Sequence, residues 1–178
     1  PDNTIGGAAP ESRNVISGNH SSGVQIDGGK SGVTATGSLI QGNLLGAGPD
    51  LQPMGNQVGV YAGSTDAGII ENLIAFNRET GVTVPSGSIS RPPGSEIAIL
   101  RNTVFSNVGI GIDLDDDGVT ANDGGTPPDQ DEGGNGLQNY PVLMTRTDNP
   151  TTVINGTLES IPNTTFRIEF FGNTFKDP

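Results

Sequence analysis

The chain has 178 residues, a net charge of −12, a pI near 4.1, 28 glycines, 13 prolines, no Cys, no Trp and 4% aromatic side chains. An acidic chain of this kind argues against nucleic acid or an anionic membrane as partner. The lack of cysteine excludes a disulfide scaffold and a thiolate metal centre, and with no long apolar run nothing in it inserts into a membrane.

The opening "PDNTIGG" already reads as the inside of a repeat, so the chain is expected to be a processed product or a piece of a longer one. Residues 14–26, "NVISGNHSSGVQI", set the pattern: Asn, an aliphatic pair, a second Asn (Asn19), then Gly at +4 and aliphatics at +5 and +7. In "SLIQGN", residues 38–43, Asn43 is taken as the second Asn, and the pattern resumes with "GVYA" at Gly59 after 12 extra residues. "NLIAFNRETGVTV" (residues 72–84) and "NTVFSNVGIGIDL" (residues 102–114) repeat the pattern around Asn77 and Asn107. Three of the copies are preceded by aliphatic pairs: Val33 and Ala35, Ala67 and Ile69, Ile97 and Ile99.

Apolar positions alternate with period two in short runs punctuated by Gly and Asn, which predicts strands and no helix. A repeat of this length buries its apolar side only against neighbouring repeats. The fold class expected over residues 1–114 is therefore all-β: a single-stranded parallel β-helix, right-handed because parallel crossovers are. Its interior needs only small aliphatics, in keeping with the scarcity of large side chains. Asn tolerates left-handed backbone and satisfies local main-chain groups at a sharp corner. With stacked strands about 4.8 Å apart, Asn19, Asn43, Asn77 and Asn107 are expected to form one column of hydrogen-bonded amides. Phe76 and Phe105, each just ahead of a column Asn, are read as a stacked structural pair.

Residues 115–136 form an acidic, Gly- and Pro-rich loop. From 113 to 132 the chain carries 8 of its 20 acids and no Lys or Arg. Asp113, Asp115 and Asp117 followed by Gly118 match the opening of a calcium loop, with Asp123 as a further ligand. The Glu that would close such a loop is replaced by Gly124, so this is not an EF-hand. Two readings stand, a calcium site on those four residues or a solvated acidic loop. A catalytic set is harder to assemble: the single histidine, His20, falls in a turn, the basic residues are scattered, and Asp115 and Asp116 would point to opposite faces of a strand.

Residues 137–178 are expected to form a separate β unit. "PVLMTR" and "TTVING" each suggest a strand, and "TFRIEFF" alternates with Phe166, Ile168 and Phe170 on one face. This is too little for an immunoglobulin-type sandwich. The unit is read as incomplete, and Phe166, Ile168, Phe170 and Phe171 become candidates for self-association.

The Asn repeats, together with "GIDL…DGVTANDGG…GGNGLQNYPVL" and "GTLES.PNTTFRIEFF", resemble the right-handed parallel β-helix repeat proteins of bacterial secreted and cell-surface type. The resemblance implies an extracellular or cell-surface setting and the start of an immunoglobulin-like module at the C-terminal end. The function expected is a structural or interaction module, such as part of a fibre or adhesin, whose partners are other protein copies or surface components. The alternative is a β-helix that binds polysaccharide or cleaves it in the manner of a pectate lyase. Fold analogy alone does not make an enzyme, and none is expected here.

Overall fold

In the computed structural model the described residues are 2–27, 35–87, 94–125, 128–148 and 151–172. Val33 lies outside them. Four successive passes of the chain each lay down three short strands. The first pass, or tier, holds β1 (Thr4–Gly6), β2 (Val15–Ile16) and β3 (Val24–Asp27). The second holds β4 (Leu39–Gln41), β5 (Leu44–Leu45) and β6 (Val60–Gly63). The third holds β7 (Gly68–Ile70), β8 (Leu73–Ala75) and β9 (Val82–Val84), and the fourth β10 (Ala98–Leu100), β11 (Thr103–Phe105) and β12 (Ile112–Leu114).

Strands of like position pair in parallel across tiers, giving three four-stranded sheets: β1-β4-β7-β10, β2-β5-β8-β11 and β3-β6-β9-β12. The protein is thus all-β, with three stacked parallel sheets, an arrangement compatible with a parallel β-helix. The register is set by one inward aliphatic per short strand. Ile5 pairs with Ile40, Ile40 with Ile69 and Ile69 with Ile99, while Ile16 pairs with Leu45, Leu45 with Ile74 and Ile74 with Val104. A slip of one residue would turn each of these side chains out to water. Ile40, Leu45, Ile69, Ile74, Val60, Val82 and Val84 are fully buried, and the core thins toward both end tiers, where Ile5, Ile16, Ile99 and Val104 are half-buried.

The corners correct the expectation that Asn itself adopts the left-handed conformation. At six of the eight column asparagines positive φ falls on the residue before: Gly42 (72°), Glu71 (57°) and Arg101 (54°) after the first strand of a tier, and Gly18 (75°), Phe76 (61°) and Ser106 (52°) after the second. A non-glycine residue held there costs on the order of 1 kcal/mol or more. The asparagine that follows is left free to aim its amide along the tier axis, which offsets that cost.

The second tier carries a loop that changes the repeat alignment. From Asn43 to Asn56 is 13 positions, whereas Asn14 to Asn19, Asn72 to Asn77 and Asn102 to Asn107 are each 5. The insertion is therefore of eight residues, shorter than the 12 expected, and it follows β5. It closes on itself through an antiparallel bridge between Ala47 and Pro53 and through the Met54 N–H, which donates to Gly46 O at 2.9 Å.

Beyond the tiers, β13 (Val142–Asp148) and β14 (Thr151–Thr157) form an antiparallel hairpin whose second strand is exposed along its whole length. Residues 165–171, expected as a third strand, are not one. They lie along the last tier and reach it through side chains, so their main chain joins no ladder.

Candidate functional site

Two columns of asparagine run the length of the stacked sheets. In one, the N–H and Nδ2 of Asn14 donate to Asn43 Oδ1 at 3.2 and 3.0 Å. Asn43 does the same to Asn72 at 3.0 and 3.1 Å, and Asn72 to Asn102 at 2.9 and 3.0 Å. In the other, Asn19 donates to Asn56, Asn56 to Asn77 and Asn77 to Asn107 at 2.8–3.1 Å. The second amide hydrogen turns back to the tier below, as from Asn72 to Ile40 O at 2.9 Å and from Asn56 to Ile16 O at 2.9 Å. A middle asparagine therefore uses both amide hydrogens and both oxygen lone pairs, the condition under which a buried amide costs nothing.

Asn19, Asn77 and Asn107 share a column. Asn43, expected with them, stands in the other, and Asn56 holds the place assigned to it. The eight-residue loop is the physical reason: it separates Asn43 from its partner in the same tier, so the short spacing that marks the other tiers is missing. The steps along the Asn43 column are 29, 29 and 30 residues.

The acidic segment folds back against the end of the third sheet, where Thr120 Oγ1 donates to Leu114 O at 3.1 Å. Asp113 is buried, pairs in register with Thr83, and accepts from the Gly118 N–H at 3.1 Å. Burial raises its carboxyl above the usual range, against the pull of the main-chain donors of Gly118, Asp117 and Asp116. Asp116 is also raised, by burial first and then by the like charges of Asp113, Glu79 and Asp115. Asp115 Oδ1 accepts from the Ser86 N–H at 3.2 Å, and Asp117 is exposed. Asp123 is tied elsewhere, through its main chain to the side chain of Asn139. Among the described residues no three carboxylate or imidazole side chains converge as a metal site. The four expected ligands are thus not brought together.

A second polar cluster, unmarked by any acidic spacing, organises the end of this loop. Buried Asp129 accepts from the Asn139 N–H (2.8 Å), from Gln138 Nε2 (2.7 Å) and from Ser160 Oγ, while Asn139 Nδ2 donates to Asp123 O and Glu159 O, both at 2.9 Å. These contacts account for "D…GGNGLQN" as a structural knot.

No protein-family model matches the chain, and no solved structure matches it. Among the described residues no helix is long and apolar enough to cross a membrane.

Along the last tier, Glu169 Oε2 accepts from the Arg101 N–H at 2.7 Å, and that bond, ahead of the neighbouring arginines, holds its carboxyl below the usual range. Its buried Oε1 is ion-paired with Arg167 Nη2 at 2.6 Å. Phe171 shares a groove with Ile99, Val104 and Ile112. Of the residues expected for self-association, Phe171 thus sits beside the tier, Phe166 is half-buried, and Ile168 and Phe170 are exposed. Phe76 and Phe105 meet edge to face with ring centroids 5.5 Å apart.

Proposed function

We propose that the chain is a right-handed parallel β-helix acting as a rigid structural and interaction module of an extracellular or cell-surface protein, as a segment of a fibre or adhesin would. The hairpin β13–β14 is read as the start of an immunoglobulin-like unit. The observation that carries the reading is the pair of unbroken amide columns. Six of their eight asparagines are buried, at Asn43, Asn56, Asn72, Asn77, Asn102 and Asn107, and every one is committed to holding tiers in register. Repeated main-chain bonding along one axis couples each tier to its neighbours and makes a stiff body.

The chain has no cysteine, so Ser21→Cys at an exposed position gives a unique label in it. A membrane-impermeant maleimide should modify this variant of the parent protein on intact cells. Labelling only after lysis would overturn the surface assignment. Saturable binding or cleavage of a polysaccharide by the purified chain would replace the structural reading with the carbohydrate one.

A further inference from the structure

Each step along the Asn43 column is made of three hydrogen bonds. Asn43 donates its N–H and Nδ2 to Asn72 Oδ1 at 3.0 and 3.1 Å, and the Leu73 N–H donates back to Asn43 O at 2.9 Å. The same three join Asn72 to Asn102, at 2.9 and 3.0 Å and, from the Thr103 N–H, at 2.8 Å. At Asn102 the column ends. No described residue takes its N–H, its second amide hydrogen or its carbonyl oxygen, although Asn102 is only 4% exposed. Its side-chain oxygen is held by two donors of Asn72 and its first amide hydrogen by Ile69 O at 2.7 Å. The second hydrogen is thereby fixed in direction, along the column and away from Asn72.

Asn102 lines a groove of about 430 Å³ whose apolar walls are Ile99, Val104, Ile112 and Phe171. Ligand sites are typically clefts of about 300–1,000 Å³, mostly apolar, with a few placed polar groups. Arg167 and Glu169 also line this one, and their ion pair leaves no net charge there. The groove therefore favours a neutral guest over a carboxylate. Buried polar groups left without partners cost free energy that a matching guest recovers. Donors already fixed in direction lose little more on binding.

We propose that this groove is a recognition site for an extended peptide segment of a partner protein, one that carries an asparagine with an aliphatic residue two positions later. It rests on the reading of the chain as an interaction module and gives that module a partner chemistry. The stack itself supplies the template: Asn43 is followed at that distance by Leu45, Asn72 by Ile74 and Asn102 by Val104, which pair in register. The guest's carboxamide oxygen accepts from the Asn102 N–H and Nδ2, and its next N–H donates to Asn102 O. Its aliphatic side chain then seats on Val104 among the apolar walls. β11 is the end strand of its sheet, so the segment lies parallel beside it as an added strand. The Arg101 N–H, one position earlier, is already taken by Glu169, which makes the asparagine the first residue of the guest to engage.

The test is a titration of the full chain with a blocked Asn-Leu-Ile peptide, followed by nuclear magnetic resonance. The main-chain and side-chain amide signals of Asn102 should shift and saturate, while those of Asn77, buried in the other column, stay in place. A blocked Ala-Leu-Ile peptide lacks the carboxamide and should bind at least about tenfold more weakly, the scale of two neutral hydrogen bonds. Ile112→Lys, at an exposed position of the wall, should abolish binding. If that variant also moves the Asn77 signals, Phe171→Ala, on a wall residue that is 65% exposed, takes its place and should weaken binding. No saturable shift at Asn102, equal binding of the two peptides, or binding indifferent to the wall variant would each overturn the proposal. Because the titration uses purified protein, its failure is separable from failure of the surface labelling.

Discussion

Replacing Asn77 by Ala breaks a column at its middle. Asn77 is fully buried, and its Oδ1 accepts from both the N–H and the Nδ2 of Asn56, each at 3.1 Å. Its Nδ2 donates to Asn107 Oδ1 and to Leu45 O. The substitution leaves the buried Asn56 N–H with no acceptor, at about 1–3 kcal/mol, and three further neutral bonds are lost or halved at roughly 0.5–1 kcal/mol each. The sum is about 2.5–6 kcal/mol, a large part of the roughly 5–15 kcal/mol that holds a typical domain folded. Asn19→Ala is the internal control. Asn19 is exposed, its Nδ2 makes one column bond, to Asn56 Oδ1, and that oxygen keeps the Asn19 main-chain donor, so less than about 1 kcal/mol should be lost. Urea unfolding of both variants, with m compared to confirm that the transition is unchanged in kind, measures the difference. Shifts equal to within about 0.5 kcal/mol would refute the view that the amides secure the tiers through buried bonds.

Ile69→Ala, between Ile40 and Ile99 and fully buried, should cost about 2–5 kcal/mol in the same assay, and Ile99→Ala, half-buried in the end tier, clearly less. Burial raises the Asp113 carboxyl above its unfolded value, so its ionisation weakens the fold above the raised value, and the penalty fades as pH falls through it. Asp113→Asn, whose oxygen can still accept from Gly118, should therefore raise Tm at about pH 7 and leave it unchanged near pH 3. Calcium should leave Tm where a chelator leaves it, because Asp113 and Asp115 accept from main-chain donors. A rise with calcium that Asp115→Asn removes would instead establish the cation reading.

Strand periodicity was plain in the sequence because each short strand carries one or two inward aliphatics and most have a Gly or Asn within two residues of their end. The column register was not, since a local spacing rule fails where a loop intervenes. Asn56 looks like a loop residue in "PMGNQVG", and only its reach to Asn77 marks it. The left-handed corners were hidden for another reason. The strain sits on residues as unlike as Glu71, Phe76 and Arg101, and what compensates it is the next residue's bond to another tier. In "TFRIEFF" the alternation predicted a strand that the structure lacks, because a strand exists only where an edge accepts its main chain. "DLDDDG" carried the charge pattern of a cation loop, yet Asp113 belongs to β12 and faces main-chain donors, which spacing alone does not reveal.

The loop after β5 bears on how such a chain can change length. Its neck is sealed by the Ala47–Pro53 bridge and by the Gly48 N–H donating to Gln52 O at 2.8 Å, while its tip, residues 49–51, is exposed. Past the neck the column resumes at Asn56 without disturbance. Doubling a loop adds only about 0.6 kcal/mol of closure entropy, so this tip is a site where a foreign peptide could be grafted or a natural insertion tolerated. Such growth widens the flank of the molecule. Its axis can lengthen only by a whole repeat, added with both of its asparagines in place, whatever the length of the loop that repeat carries.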